Sequence, residues 1–514
     1  MTALRSAAVA AAVVAMAPAG LRWLRVAQRE HYLPGAAARF ALRWWGGTPL
    51  GIAGVVVALA GTGLAWRWPA SALATAAVVA AGPPGLGLRG RTAPLAWTRR
   101  LRTLAAAVTA LGAAAVAAGV VAGVGPVVAA AAALLVPLIV DLGCAITGPF
   151  ERAAAQRHVT RATQRLQRVA PTVVAITGSY GKTGTKGYVA HLLAGSRTVV
   201  ASPASFNNRA GLARAVNENL VDGTDVFVAE MGTYGKGEIA ELCSWLVPDI
   251  AVITAVGPVH LERFGSEDRI LEAKAEILEK APVAVLNVDD PRLAALATEA
   301  EGRGRRVRRA SRSAAADVRV AEDREELVLF VDGVEVARAP AGPRPGNLAC
   351  AVAVALELAV PLEEIGRRLA GLPGAPHRLE VGRGAGGALV LDDTYNANPA
   401  GAALALEALE SMAPAAGRRV VVTPGMVELG ARQGEENVLF GRAAARVADD
   451  LLVVGRTNRR ALVRGAHETG DRRRPTPLRV TVVRHRPEAV AWVRDQLGPS
   501  DAVLYENDLP DHYP

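Results

Sequence analysis

Long apolar stretches without charged residues are concentrated in the first 150 residues of the chain. A membrane-spanning helix needs about 20 such residues, so these stretches predict transmembrane helices. The uncharged run at 103–140 is long enough for two helices, with a break near Gly123 and Pro126. The predicted spans are 7–21, 44–66, 68–88, 103–121 and 126–143. We therefore expect an α-helical transmembrane region of about five spans at residues 1–150.

Beyond residue 170 the pattern changes to short apolar runs that alternate with helical patterns. The predicted strands are 172–177, 225–231, 250–256, 283–288, 388–392, 418–423, 450–454, 478–483 and 501–505. Strands separated by helices form mostly parallel sheets, so the predicted fold class is α/β. We expect a basic helical linker at 151–171, a central domain at 172–345 and a Rossmann-like C-terminal domain at 346–514. The last domain lacks a dinucleotide glycine fingerprint, so we expect no NAD.

The net charge of +10 comes with arginines clustered beside the apolar stretches. The clusters are Arg22, Arg25, Arg29, Arg39 and Arg43; Arg89, Arg91, Arg99, Arg100 and Arg102; and Arg152 and Arg157. With five spans, all three clusters lie on the side that the positive-inside rule identifies as the cytoplasm. We therefore expect a multi-pass protein of the cell membrane with cytoplasmic catalytic domains and basic residues that face anionic membrane lipid. Basic and aromatic residues do not interleave, so we expect no nucleic-acid partner.

The compartment also depends on two further observations. Residues 7–21 fit the apolar segment of a secretory signal as well as a span, and alanine-rich helices also fit the core of a soluble protein. The cysteines Cys144, Cys243 and Cys350 lie far apart in apolar surroundings. We expect buried thiols, which are typical of a reducing cytoplasm.

An apolar strand at 172–177 runs directly into a glycine-rich turn that ends in Lys-Thr. The predicted nucleotide-binding residues of this turn are Gly178, Ser179, Gly181, Lys182 and Thr183. Backbone N–H groups of such a turn bind phosphate, Lys182 adds positive charge, and Thr183 offers a hydroxyl to Mg²⁺. These features predict an ATP site. Ile176 stands where a general P-loop has its first glycine, and an ordinary strand-turn-helix connection is the alternative.

Lysine is rare in this chain, because only five of its 58 basic residues are lysines. They are Lys182, Lys186, Lys236, Lys274 and Lys280. Ammonium and guanidinium groups differ in shape and reactivity, so a chain that otherwise uses arginine has local reasons to keep some lysines. We expect chemical roles for Lys182 and Lys274, whereas Lys236 and Lys280 also fit a charged surface.

The sequence Thr-Gly-Ser-Tyr-Gly-Lys-Thr at 177–183 resembles the phosphate loop of the Mur ligase family. These enzymes use ATP to join amino acids or peptides to peptidoglycan precursors. The groups that follow the next predicted strands, Glu230, His260 and Asn287, resemble the family in the same order. The resemblance covers roughly residues 172–450. It implies a Mur-ligase-type ATPase domain followed by a ligase domain.

The resemblance also implies roles for the matching residues. Thr183 and Glu230 would hold one Mg²⁺, and His260 would help to hold a second. Lys274 matches the lysine that is carbamylated in the family, and a carbamate is an anion that can ligate Mg²⁺. The implied nucleotide contacts outside the loop are Asn287, Asn347 and Arg378. The implied catalytic residues are Lys182, Lys274, His260, Arg378 and Asp393.

Two asparagine-rich segments, 205–211 and 392–399, resemble the branch of the family that adds D-alanyl-D-alanine. The implied substrate contacts are Asn207, Asn208, Tyr395, Asn396 and Asn398. The acceptor would be a muramyl peptide linked to UDP or to a lipid. An asparagine-rich turn before a helix is the alternative for the second segment.

Taken with the apolar N-terminal region, the resemblance predicts a membrane-anchored ligase of peptidoglycan precursor synthesis. It would form an acyl phosphate on the muramyl peptide and then add D-Ala-D-Ala or a related amine. Two alternatives remain open, a ligase of the poly-γ-glutamate capsule type and a non-catalytic nucleotide-binding scaffold at the membrane.

Two departures from the family pattern affect the substrates. Only residues 151–172 separate the last predicted span from the nucleotide strand, which leaves no room for the usual UDP-binding domain. We therefore hypothesise a lipid-linked acceptor. Pro424-Gly425 replaces the usual Gly-Asp, and residues 504–510 replace the usual Lys-Gly-Ser ending. These changes lie in the domain that binds the incoming amine, so its identity is open.

Overall fold

The computed structural model describes residues 2–90, 95–203, 206–323, 326–340, 342–373, 379–395, 398–468, 477–510 and 512–513. The chain forms two compact units, residues 1–155 with 509–514 and residues 156–508. The first unit is helical, and the second contains two β-sheets covered by helices.

The first unit consists of alanine-rich helices with apolar surfaces. They are α1 (Thr2–Arg29), α2 (Ala36–Gly46), α3 (Pro49–Leu64), α4 (Ala72–Ala81), α5 (Arg99–Val121), α6 (Gly125–Leu134) and the first part of α7 (Val136–Val169), with a 3₁₀ turn at Pro69–Ser71. Small side chains such as Ala8, Ala72 and Ala130 are fully buried together, so the helices approach closely. Among the last residues, the carbonyl of His512 accepts a hydrogen bond from the Trp44 indole at 2.8 Å.

Buried charged groups in this unit complete helix ends. The Arg22 guanidinium donates to the carbonyls of Ala80 and Ala81, at 2.9 and 2.8 Å, at the carboxyl end of α4. The Asp141 carboxylate accepts from the backbone N–H groups of Ala37 and Ala38, at 3.0 and 2.9 Å, at the start of α2. A cation at a helix C-terminus and an anion at an N-terminus both satisfy unpaired backbone groups and oppose the helix dipole.

The described helices differ from the predicted pattern of about five spans. Within the described residues, α1 and α5 are long and apolar enough to cross a membrane, and up to four spans result if each bent pair counts as one, by length and composition alone. The stretch 44–66 is divided between α2 and α3, which meet at 113°. The stretch 68–88 contains only the 10-residue α4 after a 3₁₀ turn, which is too short to span a bilayer. Pro49 and Pro69 start new helices at these breaks because proline is favoured in the first helical turn.

The described residues of the second unit include a nine-stranded mixed sheet. Its strands are β1 (Thr172–Thr177), β2 (Val199–Ala201), β3 (Val226–Glu230), β4 (Ile250–Ile253), β5 (Val283–Asn287), β6 (Arg306–Ser311), β7 (Val318–Asp323), β8 (Glu326–Val331) and β9 (Val334–Pro340). The order is β2-β3-β1-β4-β5-β6-β7-β8-β9, parallel from β2 to β7 and antiparallel beyond. The four strands predicted for this domain are confirmed, and β2 and β6 to β9 were not predicted. Arginines at alternate and adjacent positions of β6 hide its apolar pattern.

Helices cover both faces of this sheet. They are α8 (Lys182–Leu193), α9 (Arg209–Asn219), α10 (Glu238–Trp245), α11 (Leu261–Phe264), α12 (Glu267–Ala275), α13 (Pro291–Gly302), α14 (Pro345–Glu357) and α15 (Leu362–Leu369). Alternate residues of β1 enter different cores: Val173 and Ala175 pack with α9 and α10, and Val174 and Ile176 with α8 and α14. Burial on both faces explains why the strand is a continuous apolar run.

The segment 151–171 is helical up to Val169, as the last part of α7. Val159 and Ala162 are buried in the core beside β1, and Arg165 donates to the carbonyl of Asn217 at 3.1 Å. The second half of the predicted linker therefore packs as part of the sheet-containing unit.

A six-stranded sheet follows in the described residues, with strands β10 (Glu380–Arg383), β11 (Leu389–Asp393), β12 (Arg419–Thr423), β13 (Asp450–Val454), β14 (Arg479–Val483) and β15 (Ala502–Glu506). Its order is β10-β11-β15-β12-β13-β14, parallel except for β10. It packs with α16 (Pro399–Met412), α17 (Gln433–Val447), α18 (Arg459–His467) and α19 (Arg486–Gln496). The five strands predicted here are confirmed. Parallel pairing brings the carboxyl ends of β11, β15 and β12 side by side.

Candidate active site

The turn between β1 and α8 has the backbone of a phosphate-binding loop. Gly178 and Gly181 have φ of 155° and 89°, which side chains disfavour. A Cβ on Gly178 would collide with Thr254, and one on Gly181 with the Asn347 side chain. The ammonium of Lys182 donates to the carbonyl of Gly178 at 2.7 Å. The loop thus presents the N-terminus of α8 and one cation to the same space.

Glu230 ends the neighbouring strand β3 beside this loop and is 2% exposed. Thr183 donates its hydroxyl to the carboxylate at 3.0 Å, and the Asn207 amide donates to it at 3.2 Å. The ammonium of Lys186 lies 3.2 Å from the same carboxylate. The predicted pair Thr183 and Glu230 is therefore brought together, with Asn207 beside it.

Lys274 lies in the last turn of α12 and is 4% exposed. Burial, together with the nearby positive charge of Lys182, lowers its pKa well below the ordinary value of lysine. A lowered pKa favours the neutral amine, and this is the form that reacts with carbon dioxide. The two lysines singled out in the sequence therefore belong to one electrostatic environment.

Asn287 and Asn347 border the phosphate loop from the side of β5 and α14. The Asn287 amide donates to the carbonyl of Thr254 at 3.0 Å. A Cβ on Gly184 would lie 3.3 Å from Nδ2 of Asn347. Both asparagines are thus near the loop, as the sequence predicted.

His260 lies in the loop after β4, with its backbone in the left-handed region at φ 60°. Its Nδ1 contacts the carboxylate of Glu428, which comes from the loop after β12. Its ring packs against Tyr234 in a T-shaped arrangement, with 4.7 Å between ring centroids. Burial is the main cause that raises the pKa of Tyr234 to about 12, so this phenol is neutral.

The donor set fits magnesium at a nucleotide. Mg²⁺ in such sites takes one or two protein ligands and completes its octahedron with phosphate oxygens and water. Within the described ranges, no three His, Cys, Asp or Glu residues form a group that could hold a metal unaided. Thr183 and Glu230 match a site with one or two protein ligands, in which phosphate oxygens and water complete the coordination. A carbamate on Lys274 would add an anionic ligand to His260 for a second ion.

Two of the residues predicted to contact the acceptor substrate cap the starts of helices. Asn208 caps α9 by accepting from the N–H of Gly211 at 2.9 Å, and Asn398 caps α16 by accepting from Gly401 at 2.9 Å. Tyr395 is 48% exposed. Asp393 ends β11 and accepts from the N–H of Leu379 at 3.1 Å. Arg378 and Asn396, also predicted for the site, lie outside the described residues.

Comparison with known proteins decides the family. The profile described as Mur ligase middle domain matches residues 176–338, and that described as Mur ligase, glutamate ligase domain matches residues 377–505. The UDP-N-acetylmuramoyl-tripeptide–D-alanyl-D-alanine ligase of Mycobacterium tuberculosis (strain H37Rv) is 36% identical over 387 residues, covering 70% of this chain and 74% of that protein. This chain belongs to the Mur ligase family. It is therefore an enzyme, an ATP-dependent ligase.

Solved Mur ligase structures share its fold. MurF from Acinetobacter baumannii matches with a TM-score of 0.59 and 26% identity over 69% of this chain and 77% of that chain. The MurF ligase from Thermotoga maritima in complex with ADP matches with a TM-score of 0.58 and 27% identity over 69% and 80% of the two chains. The curated enzyme of Escherichia coli K12 with the same name as the mycobacterial one is 32% identical over 311 residues, covering 56% of this chain and 66% of that protein.

Three residues at the Mur ligase site were missed or left without a role by the sequence analysis. Lys186 pairs with Glu230, and its only sequence signal was the rarity of lysine. Glu428 contacts His260 from 168 positions away, a relation that spacing along the chain does not reveal. Glu506 was noted only as a departure from the family ending.

Glu506 is fully buried at the end of β15. One carboxyl oxygen accepts from the Thr423 hydroxyl at 3.0 Å, and the other has no hydrogen-bond partner within the described residues. Burial, and secondarily the charge of Asp393, raises the pKa of Glu506 to about 8. At neutral pH this side chain is mostly the uncharged acid. The end of β15 therefore carries an uncharged acid in the segment that replaces the usual Lys-Gly-Ser ending.

Proposed function

We propose that this Mur ligase activates the carboxylate of a muramyl peptide with ATP and joins it to D-Ala-D-Ala or a related amine. The observation that carries the proposal is the arrangement of Lys182, Thr183, Glu230 and buried Lys274 around one phosphate loop. Relatives named as UDP-N-acetylmuramoyl-tripeptide–D-alanyl-D-alanine ligases support the substrate class. The division into regions 1–150, 151–171, 172–345 and 346–514 is part of the proposal.

In this proposal the phosphate loop binds the β and γ phosphates through backbone N–H groups at the start of α8. Lys182 exchanges its contact with the Gly178 carbonyl for a phosphate oxygen and offsets the charge that develops during transfer. Thr183 and Glu230 would hold the first Mg²⁺, and such an ion would neutralise phosphate charge. Asn287, Asn347 and Arg378 contact the nucleotide.

The acceptor carboxylate attacks the γ phosphorus, its oxygen forms the new P–O bond, and ADP leaves. The amine nitrogen then attacks the acyl carbon, and phosphate departs as the C–N bond forms, with loss of a proton from nitrogen. We place the acceptor beside Asn207, Asn208, Tyr395, Asn396 and Asn398, with Asp393 at the reacting end. Alignment of the two reactants contributes much of the rate.

We further propose that Lys274 is carbamylated. Its burial and lowered pKa support a neutral amine, and Lys182 supplies a cation that would stabilise the carbamate. The carbamate and His260 would then hold the second Mg²⁺. Carbamylation would place an anion beside the Lys182 cation where a neutral amine stands otherwise.

The helical unit supports a proposal of membrane attachment. Large apolar side chains are exposed on it, including Leu50 at 70%, Val56 at 58% and Val121 at 89%. Trp66 and Trp68 are 73% and 58% exposed just after α3, as expected for residues at a lipid-water boundary. We propose that these surfaces contact lipid and that the ligase domains face the cytoplasm.

We propose that the acceptor is carried by a lipid, because apolar helices occupy the chain before β1 where other members have a UDP-binding domain. The test is phosphate release by the detergent-purified protein with ATP and Mg²⁺. UDP-linked and lipid-linked muramyl tripeptides are compared, each with and without D-Ala-D-Ala. Phosphate release that requires both acceptor and amine supports the ligase activity. The acceptor that gives the faster release identifies the carrier. No release with any acceptor and amine would contradict the proposed function.

The amine is tested separately, because residues 504–510 replace the usual Lys-Gly-Ser ending. The acyl phosphate is trapped with hydroxylamine as a hydroxamate in the absence of amine. Hydroxamate without product from D-Ala-D-Ala would show that activation is intact and that a different amine is used.

A further inference from the structure

Glu428 joins the loop after β12 to the loop after β4. Its carboxylate contacts Nδ1 of His260 and lies 3.7 Å from a guanidinium nitrogen of Arg263. Its backbone carbonyl accepts from the N–H of Glu262 at 3.0 Å. One residue of the second sheet's domain therefore contacts three residues around the start of α11.

Both ends of this contact have unfavourable backbone conformations. His260 and Glu428 have φ of 60° and 64°, in the left-handed region that non-glycine residues avoid. A Cβ on nearby Gly430 would lie 3.3 Å from the backbone nitrogen of Glu262, so the loops also approach closely there. Strain of this kind persists where surrounding contacts enforce it, and it is common at functional sites.

The contact determines which nitrogen of His260 is available. A carboxylate only accepts hydrogen bonds, so Nδ1 is the nitrogen that donates to Glu428, and Nε2 is the nitrogen that could ligate a metal. Tyr234 packs against the ring, and the Arg263 guanidinium lies 4.8 Å from the centre of the Tyr234 ring. Carboxylate and aromatic contacts thus fix both the tautomer and the orientation of the imidazole.

We propose that Glu428 is a positioning residue that orients His260 toward the second magnesium ion and makes this orientation depend on contact between the two sheet domains. The inference rests on the proposed function, which assigns His260 to that ion. Because Glu428 belongs to the amine-binding domain, the ion acquires its oriented histidine only when that domain contacts the ATP-binding domain.

A purely structural interface contact is the competing explanation, and the chain offers a matched control. Arg432, four residues further along, pairs with Glu267 of α12 at 2.6 Å. This ion pair joins the same two domains without a contact to His260. Glu428→Gln removes the carboxylate, and Arg432→Gln removes the neighbouring pair.

The experiment measures Mn²⁺ binding to the full chain with ADP by electron paramagnetic resonance, with Mn²⁺ in place of Mg²⁺. In Glu428→Gln, we expect the affinity of the weaker Mn²⁺ site to fall about 10-fold to 100-fold, as for other partners of metal-bound histidines. Arg432→Gln should stay within about twofold of the wild type, as expected for an exposed ion pair. Glu428→Gln should add no further loss to His260→Gln, because both changes remove the same effect.

Each outcome bears on one idea. If the wild type binds neither ADP nor Mn²⁺, the proposed function is contradicted. If it binds both and Glu428→Gln changes nothing, or if the two interface variants weaken Mn²⁺ equally, the positioning role is overturned. If the melting temperature shows that Glu428→Gln folds poorly, Glu428→Asn replaces it, because asparagine tolerates the left-handed backbone. Glu428→Asn must then show the same selective loss of Mn²⁺ affinity. Unchanged Mn²⁺ binding in this variant overturns the positioning role.

Discussion

The carboxyl ends of the two sheets differ in charge. Beside β1 and β3, Lys186 pairs with the carboxylate of Glu230, and Lys182 adds a second ammonium on the phosphate loop. Beside β11 and β15, Asp393 and Glu506 face each other across neighbouring strands. Burial opposes charge at both edges, because it lowers the pKa of Lys274 and raises that of Glu506.

The difference shows that a shared sheet architecture does not determine which ligand binds at the strand ends. Both sheets are parallel at these edges and place loops and helix N-termini there, which is the usual position of a ligand site. The side chains at the strand ends decide what binds. The first edge has ammonium groups that suit a polyphosphate, whereas the second has two acids on neighbouring strands.

The largest expected effect is that of Lys182→Ala, which removes the cation of the first edge. We expect phosphate release to fall by about 10²-fold to 10³-fold or more, as when one charge-stabilising group is removed. Lys236→Ala is the control, since Lys236 is exposed and pairs with Glu272 at the surface. Equal activity of the two variants would show that the first sheet edge does not depend on the Lys182 cation, which contradicts the difference proposed between the two edges.

Lys274→Ala tests whether the first edge needs a carbamate. We expect activity to fall at least about tenfold and to recover in part with added formate or acetate. In the wild type, the Lys274 amine is neutral at any pH above its lowered pKa. Activation by bicarbonate should therefore be lost as the pH falls below this pKa and the amine becomes protonated. Exposed Lys280→Ala is the control. Absence of both rescue and bicarbonate dependence would contradict carbamylation.

Glu506→Gln tests the second edge through stability. The pKa of about 8 lies above the ordinary 4.5, so the folded chain holds the proton more tightly than the unfolded chain. Its stabilising effect is full below about pH 4.5 and is lost as pH rises to about 8, at up to about 1.4 kcal/mol per pH unit. Denaturation midpoints at pH 6 and 8 should therefore differ less in the variant. Asp495→Asn, at an exposed acid, is the control. If the pH 6 to pH 8 difference in Glu506→Gln equals that of the wild type and of the control, Glu506 does not titrate in this range.

The smallest expected effect concerns the helix start at Asn398. Asn398→Ala should destabilise the protein by about 1 kcal/mol, because the N–H of Gly401 loses its acceptor. Asn398→Ser, which restores the cap, should recover the melting temperature. If activity stays low in the serine variant, Asn398 contacts substrate as well.

Much of the fold was predictable because its strands carry strong local signals. The strand β1 is apolar on both faces, and the glycines after it have positive φ that few other residues accept. The strand β6 was hidden by its arginines, which pair with acids such as Glu357 at the end of α14. The described residues contain fewer long apolar helices than the predicted number of about five spans, because composition does not show where prolines start a new helix.

The sequence by itself determined the chemistry of the phosphate loop, the family and the chain order of its site groups, because these depend on residue types at short spacing. Tertiary structure alone decided which groups meet. It placed Lys186 on Glu230, buried Lys274 near Lys182, and brought Glu428 to His260. Such contacts join positions far apart in the chain, and the burial that shifts a pKa exists only once the helices and sheets have packed.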